Sequence, residues 1–114
     1  MPMPRKDGPS SVLLRGSLEL LLLQALSRGA LHGYAMARRI EVATNDALRV
    51  EEGSLYPALH RLEALGFVHA RWTKTGNGRR VRSYELTRAG RVRLAAQRRE
   101  WNVFARAMAQ MVDG

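Results

Sequence analysis

The part of the chain that decides the fold runs from residue 52 to residue 86, where the sequence is EGSLYPALHRLEALGFVHARWTKTGNGRRVRSYEL. Its first third repeats apolar residues three and four positions apart, which is the period of a helix with one buried side. The residues of this stripe are Leu55, Ala58, Leu59, Leu62 and Leu65. Gly66 follows the stripe and is the kind of residue that ends a helix. The pattern predicts a helix over residues 52–65. Pro57 would clash with the carbonyl of Gly53 four positions earlier, so either Gly53 allows a local adjustment or the regular helix begins nearer Ser54.

The remainder of this stretch is typical of a β-hairpin. Two strand-like runs, residues 67–75 and 81–86, flank the turn Gly76-Asn77-Gly78-Arg79-Arg80. The Asn-Gly pair is the strongest short hairpin signal in the chain, because both residues tolerate the positive φ that tight turns need. A helix is therefore followed directly by a hairpin with a basic tip.

Two more helices are predicted upstream. The first is leucine-rich, covers residues 16–27, and is expected to begin at Gly16 with Glu19 in its first turn. The second covers residues 33–43. Its buried stripe is expected to contain Tyr34, Ala37, Ile40 and Glu41. A short extended segment is predicted at residues 48–50.

A last helix is predicted over residues 88–111, with Thr87 as its N-terminal cap. Residues 1–10 contain three of the four prolines, and this composition predicts a flexible tail.

The net charge of +9 is concentrated in one region. Residues 69–99 carry 10 basic side chains and 1 acidic side chain, which equals the whole excess. Arginine supplies 17 of the 19 basic residues, and its forked guanidinium suits phosphate and guanine contacts. A local basic block favours a polyanionic partner, most simply nucleic acid. The alternative is a solvated face that only aids solubility.

The order of three helices, a basic hairpin and a long helix is that of a winged helix, a variant of the helix-turn-helix. In this fold the third helix enters the major groove of DNA and the hairpin, or wing, lies over the backbone. The fold class expected is mainly α with a small β-hairpin. The expected domains are a flexible N-terminal tail, a winged helix-turn-helix DNA-binding domain and a C-terminal dimerisation helix, over residues 1–10, 11–86 and 87–114.

The residues expected to contact double-stranded DNA lie on two elements. The third helix offers hydrogen-bonding groups on the side away from its apolar stripe, and these are Ser54, Tyr56, His60 and Arg61. The wing offers cations around its turn, and these are Lys74, Arg79, Arg80 and Arg82. Taken singly, Tyr56 is equally compatible with half-buried packing, His60 with an ordinary surface position, and Arg79 with a solvated loop. Their joint placement on the two DNA-facing elements of a winged helix favours DNA binding.

Four blocks of sequence resemble the PadR family of bacterial transcriptional regulators. They are Leu31-His32-Gly33-Tyr34, the run from Val50 to Glu63, Gly66, and the run from Arg80 to Gly90. The resemblance extends over residues 13–111, and its most specific part is Gly-Ser-Leu-Tyr-Pro-Ala-Leu at residues 53–59. It implies a dimeric winged-helix repressor that binds an inverted repeat, often near its own gene. The single terminal helix resembles the short subfamily.

The resemblance also assigns residues by position. Ser54, Tyr56, Pro57, His60 and Arg61 fall on the recognition helix, and Arg79, Arg80 and Arg82 fall on the wing. Glu51 departs from the pattern, because relatives often have Ser or Thr before this helix. The geometry of the helix cap is therefore open.

The last helix carries an apolar seam that predicts a homodimer. We call this set the terminal seam, and it consists of Trp101, Phe104, Ala105, Met108, Met111 and Val112. Such spacing packs on another helix, either of a partner or of the chain's own core. Leu18 and Leu22 are expected to add to the interface, because leucines cover nearly every side of the first helix. In multidrug-sensing relatives a tryptophan at the place of Trp101 flanks a ligand pore, so the resemblance makes Trp101 a candidate for the pocket of a small hydrophobic or aromatic effector.

Other classes of protein receive little support. The chain contains no cysteine, which excludes disulfides and thiolate zinc sites. His32, His60 and His69 lack metal-ligand spacing, and His32 at a helix start is expected to cap or pack. No metal, cofactor or catalytic residue is expected, and a small nuclease or transferase is disfavoured. No apolar run approaches the roughly 20 residues of a membrane span.

These absences favour a cytoplasmic bacterial protein, associated with the nucleoid when bound to DNA. The remaining rival is a winged-helix module for protein–protein contact without sequence-specific DNA binding, in which the basic hairpin meets an acidic partner.

Overall fold

The computed structural model describes residues 11–114, with side chains from residue 17 onward. Its elements in chain order are α1 (Ser11–Ala25), β1 (Leu31–His32), α2 (Gly33–Ala43), α3 (Glu52–Ala64), β2 (Val68–Lys74), β3 (Arg80–Leu86) and α4 (Arg88–Asp113). The tail predicted at residues 1–10 lies outside the described residues. Helices α2, α3 and α4 and the hairpin match their predicted positions to within two residues. In the part of the chain described, no helix is both long and apolar enough to cross a bilayer.

Helix α1 begins at Ser11, five positions before the predicted start. Gly16 lies inside the helix and does not cap it, because one glycine in a helix costs only about 1 kcal/mol relative to alanine. Glu19 is consequently outside the first turn. Its carboxylate instead accepts a hydrogen bond of 2.8 Å from Nε of Arg93 on α4, so it ties the first helix to the last.

The buried side of α2 differs from the predicted stripe. It consists of Gly33, Met36, Ala37 and Ile40. Tyr34 is 66% exposed, because it lies about 100° around the helix from Gly33 and therefore outside this buried side. The tyrosine is therefore available on the surface beside the start of α2.

The sheet has the order β1-β3-β2 with antiparallel pairing throughout. The two-residue strand β1 pairs Leu31 with Tyr84 and is too short to show a period in the sequence. The extended segment predicted at residues 48–50 forms no strand. The third strand therefore comes from the α1–α2 connection.

The hairpin turn has three residues between its closing partners. The Thr75 N–H donates to the Arg79 carbonyl over 2.8 Å, and the Gly78 N–H donates to the Thr75 carbonyl over 2.9 Å. Gly78 has φ +86°, a conformation that glycine adopts without strain. The predicted hairpin is confirmed.

A single core joins the three N-terminal helices to the sheet. Its fully buried side chains are Leu22, Leu23, Leu26, Met36, Leu55, Leu59 and Leu62. Leu18 is 5% exposed and Leu22 is 0% exposed within the single chain. Leu22 therefore offers no surface of its own to a second subunit, and the placement of Leu18 and Leu22 in a dimer interface stays a prediction.

Hydrogen bonds of Thr87 connect the start of α4 to the residues that follow α3. Thr87 Oγ1 accepts from the Gly90 N–H over 3.0 Å and donates to the Gly66 carbonyl over 2.6 Å. The Thr87 N–H donates to the Phe67 carbonyl over 3.1 Å. The predicted cap is confirmed, and the same residue also fixes the direction in which α4 leaves the domain.

Candidate nucleic-acid interface

The recognition helix α3 buries its apolar stripe and exposes its other side. Leu55, Ala58, Leu59 and Leu62 are buried. Pro57, His60 and Arg61 are exposed, and Ser54 is half-buried. Glu51 provides no side-chain cap, although its carbonyl accepts from the N–H groups of Ser54 and Leu55, each over 2.9 Å. The first turn of α3 is therefore closed by the backbone alone.

Tyr56 both packs against the protein and faces solvent. A Cβ on Gly33 would stand 2.9 Å from Cε1 and 3.0 Å from Oη of Tyr56, so the ring lies directly on the backbone at the start of α2. The tyrosine nevertheless remains 45% exposed. The glycine allows the recognition helix and α2 to approach closely, and Tyr56 occupies the junction between them.

His32 has the local role expected of it. Its Nδ1 accepts from the Ala35 N–H over 3.3 Å, which caps α2. The described residues 11–114 contain no group of three His, Cys, Asp or Glu side chains placed to hold a metal ion.

The wing presents its cations together with an aromatic side chain. Lys74, Arg79 and Arg80 are exposed at the tip. The Arg80 guanidinium lies 4.8 Å from the centre of the Trp72 ring, a distance typical of a cation–π contact. Trp72 is 56% exposed. No pattern along the strand points to this tryptophan, but the hairpin register pairs Trp72 directly with Arg82 across the strands.

Arg82 is engaged by the protein itself. Its Nη2 donates to Oε2 of Glu63 on α3 over 3.0 Å, and its guanidinium also lies near the rings of Trp72 and Tyr84. Burial raises the pKa of the Tyr84 phenol, and the nearby Arg82 charge partly offsets this shift. This wing cation therefore differs from the exposed cations at the tip.

A groove of about 600 Å³ brings the two predicted elements together. Tyr56 lines it from α3, and Arg79, Arg80 and Arg82 line it from the wing. An aromatic side chain of α3 and the arginines of the wing, which are separate in sequence, thus border one cleft. His60, Arg61 and Lys74 are exposed but do not line it.

The terminal seam does not fold back on the core of its own chain. Trp101 is 45% exposed, Phe104 is 51% exposed and Met108 is 47% exposed. The rings of Trp101 and Phe104 lie 5.9 Å apart between centroids, and Ala105 is half-buried. Met111 and Val112 are also exposed. A shallow groove on this helix is lined by Phe104 and not by Trp101.

Comparison with known proteins identifies the family. The model of the transcriptional regulator PadR-like family matches residues 22–96. The chain belongs to the PadR-like family. It is 34% identical over 92 residues to the transcriptional regulator Rv3488 of Mycobacterium tuberculosis, covering 81% of this chain and 82% of that protein.

Solved structures show the same fold. A PadR family transcription regulator from Clostridium difficile is 25% identical with a TM-score of 0.73, covering 85% of this chain and 99% of its own. A transcriptional regulator from Clostridium thermocellum is 24% identical with a TM-score of 0.81, covering 90% of this chain and 99% of its own. The predicted winged helix is confirmed. Because PadR proteins are transcriptional regulators, this protein acts in DNA-binding regulation and is not an enzyme.

Proposed function

We propose that this PadR protein is a homodimeric repressor that binds an inverted-repeat operator through α3 and the wing. The observation that carries the proposal is the groove that Tyr56 shares with Arg79 and Arg80. His60 lies one helical turn from Tyr56 on the same side of α3 and is exposed, so it offers a group for base edges on the helix that borders the wing cations. A winged helix uses these two elements on DNA, and phosphate contacts then position the helix that reads bases.

The exposed terminal seam supports the dimer. Large aromatic side chains that remain about half exposed in a single chain are characteristic of interface anchors. We propose that two copies of α4 pack through this seam. Trp101 is the candidate residue for contact with a small hydrophobic or aromatic effector that releases the DNA.

The spacing of the operator tests the proposal as a whole. A two-fold dimer presents two recognition helices related by 180°, so half-site centres are expected roughly one helical turn, about 10 bp, apart. Gel shift and footprinting on the DNA upstream of the protein's own gene should show protection of an inverted repeat. Insertion of 5 bp between the half-sites rotates one of them by about half a turn and should abolish tight binding.

Two outcomes would contradict this function. A footprint over a single asymmetric half-site with one subunit bound would exclude the symmetric dimer. Absence of any sequence-selective band would favour the rival protein–protein module.

The two DNA-contacting elements should respond differently to mutation. Arg80→Ala should weaken binding to all duplexes about equally and reduce the slope of log K against log salt by roughly one unit, because one phosphate contact is lost. His60→Ala and Arg61→Ala should act mainly on the preferred site, at about 1–3 kcal/mol for each base contact. Fluorescence anisotropy on specific and scrambled duplexes measures both quantities.

A matched control for Arg80→Ala is Arg71→Ala. Arg71 is also exposed on the wing, but its guanidinium pairs with Glu85 over 2.5 Å, so its loss should leave the salt slope nearly unchanged. Equal losses on specific and scrambled DNA for the Arg80, His60 and Arg61 variants would refute the division between the two elements.

A further inference from the structure

Arg82 has a carboxylate partner on the recognition helix. Its guanidinium and the Glu63 carboxylate are 3.0 Å apart, with side chains 41% and 33% exposed. Glu63 lies in the last turn of α3, and Arg82 lies 19 positions later in the middle of β3. The pair thus bridges the recognition helix and the wing.

Aromatic side chains hold the same guanidinium in place. Arg82 lies 5.8 Å from the ring centre of Trp72 and 6.0 Å from that of Tyr84. Trp72 is its direct cross-strand neighbour, and Tyr84 is buried in the core. A guanidinium that is paired with a carboxylate and lies close to two rings has fewer N–H groups available to an external phosphate than one on a solvated side chain.

The tip cations of the wing differ in this respect. Among the residues that the structure describes, no carboxylate pairs with Lys74, Arg79 or Arg80. Arg80 lies two residues from Arg82 on β3, about 7 Å along the strand, and its guanidinium lies over the face of Trp72. Two arginines on one face of the wing therefore differ in their surroundings, because Arg82 pairs with a carboxylate and Arg80 lies on an aromatic ring.

The pair adds an attachment between α3 and the hairpin near the tip of the wing. At its base the hairpin is joined to α3 by the hydrogen bond of 2.9 Å from the Phe67 N–H to the Leu62 carbonyl. Strand β3 is also held by its pairing with β1, which ends at Ser83. Arg82 lies one residue beyond Ser83 toward the tip, so the bridge to Glu63 ties to the recognition helix a part of the wing that the pairing with β1 does not reach.

We infer that Arg82 is a positioning residue, which through Glu63 sets the wing against the recognition helix, and that Arg80 and its neighbours at the tip contact the DNA. The inference rests on the proposed DNA-binding function and deepens it. It reassigns Arg82 from the phosphate-contacting set to a role inside the protein.

The sign of the effect of Glu63→Gln separates this inference from simple electrostatics. Removal of one negative charge near a DNA-binding surface should tighten binding to any duplex if charge alone matters. If the pair positions the wing, the same substitution should weaken binding to the selected operator although the protein becomes more positive. Glu85→Gln is the matched control, because Glu85 also pairs with a wing arginine, Arg71, but on the strands alone and not on α3.

The experiment uses the full chain and two duplexes, one selected by the wild-type protein from a random library and a scrambled version of it. We expect Glu63→Gln to lower affinity for the selected duplex severalfold while Glu85→Gln leaves it equal or higher. Arg82→Gln should lower affinity without reducing the salt slope, whereas Arg80→Gln should reduce the slope by about one unit. The charge-reversed double variant Glu63→Arg with Arg82→Glu should recover affinity relative to either single reversal.

Three results would overturn the inference. These are tighter binding of Glu63→Gln to the selected duplex, a salt slope that falls by about one unit in Arg82→Gln, and no recovery in the double reversal. Thermal unfolding of each variant, measured in parallel, shows whether it is folded at the temperature of the binding assay. If Arg82→Gln is not folded there, Arg82→Lys, which keeps the charge, replaces it. Failure of the wild-type protein to select any duplex would instead contradict the proposed function itself.

Discussion

Replacing Gly90 by alanine should lower the free energy of unfolding by about 3 kcal/mol and the melting temperature by roughly 10 °C or more. A Cβ at this position would stand 2.0 Å from the carbonyl oxygen of Phe67, and a backbone atom cannot move aside as the end of a flexible side chain can. The start of α4 would have to shift. This shift would break the hydrogen bonds by which Thr87 joins Gly90 to Phe67 and Gly66.

Gly53→Ala is the matched control for this prediction. Gly53 also lies in a helix, but a Cβ there would meet nothing within 4 Å. Alanine is the better helix former by about 1 kcal/mol, so this variant should melt at the same temperature as the wild type or above it. Differential scanning calorimetry on both variants measures the difference. Equal melting temperatures for Gly90→Ala and Gly53→Ala would show that the approach of α4 to Phe67 does not constrain the fold.

Replacing Trp101 by arginine should convert the proposed dimer into monomers or aggregates. The side chain is 45% exposed in the single chain and is expected to be covered by the partner helix. An arginine there would be buried without a partner charge, which costs about 3–5 kcal/mol where a charge is left uncompensated. Such a cost corresponds to a weakening of dimerisation by a factor of about 10² or more. Light scattering coupled to gel filtration measures the change.

Gln110→Arg provides the control on the same helix. Gln110 is exposed and lies nine positions from Trp101, which places it on the opposite side of α4. This variant adds the same charge and should remain dimeric. A wild-type protein that is monomeric at micromolar concentration would contradict the interface, as would dissociation of both variants to the same extent.

Much of the fold was predictable because its signals are local. The stripe from Leu55 to Leu62 defines α3 by its period, and Gly66, with φ +82°, ends the helix as expected. Thr87 caps α4 through a contact three residues away. The errors arose where local signals were ambiguous. Gly16 resembles a cap but lies within α1, and β1 has only two residues.

The sequence predicted which elements carry the candidate site, but it did not predict the contacts that each residue makes there. The sequence placed Tyr56 on the correct helix and Arg80 in the hairpin turn, whereas the structure has Arg80 as the first residue of β3. It did not reveal that Tyr56 packs on Gly33, or that Trp72 lies beneath Arg80. Such contacts depend on how close two elements come, which no spacing along one element specifies.

Hydrophobic period, turn residues and charge act over a few positions, so local patterns specify the order of the helices and the hairpin, the buried side of α3 and the basic character of the wing. Which wing cation pairs with a carboxylate depends on how these elements pack together. Arg80 and Arg82 are two residues apart and chemically identical. Among the side chains described, from residue 17 onward, the carboxylate of Glu63 pairs with Arg82 and none pairs with Arg80. Their difference arises from the angle at which the hairpin returns over α3, a property of the packed core and not of either segment.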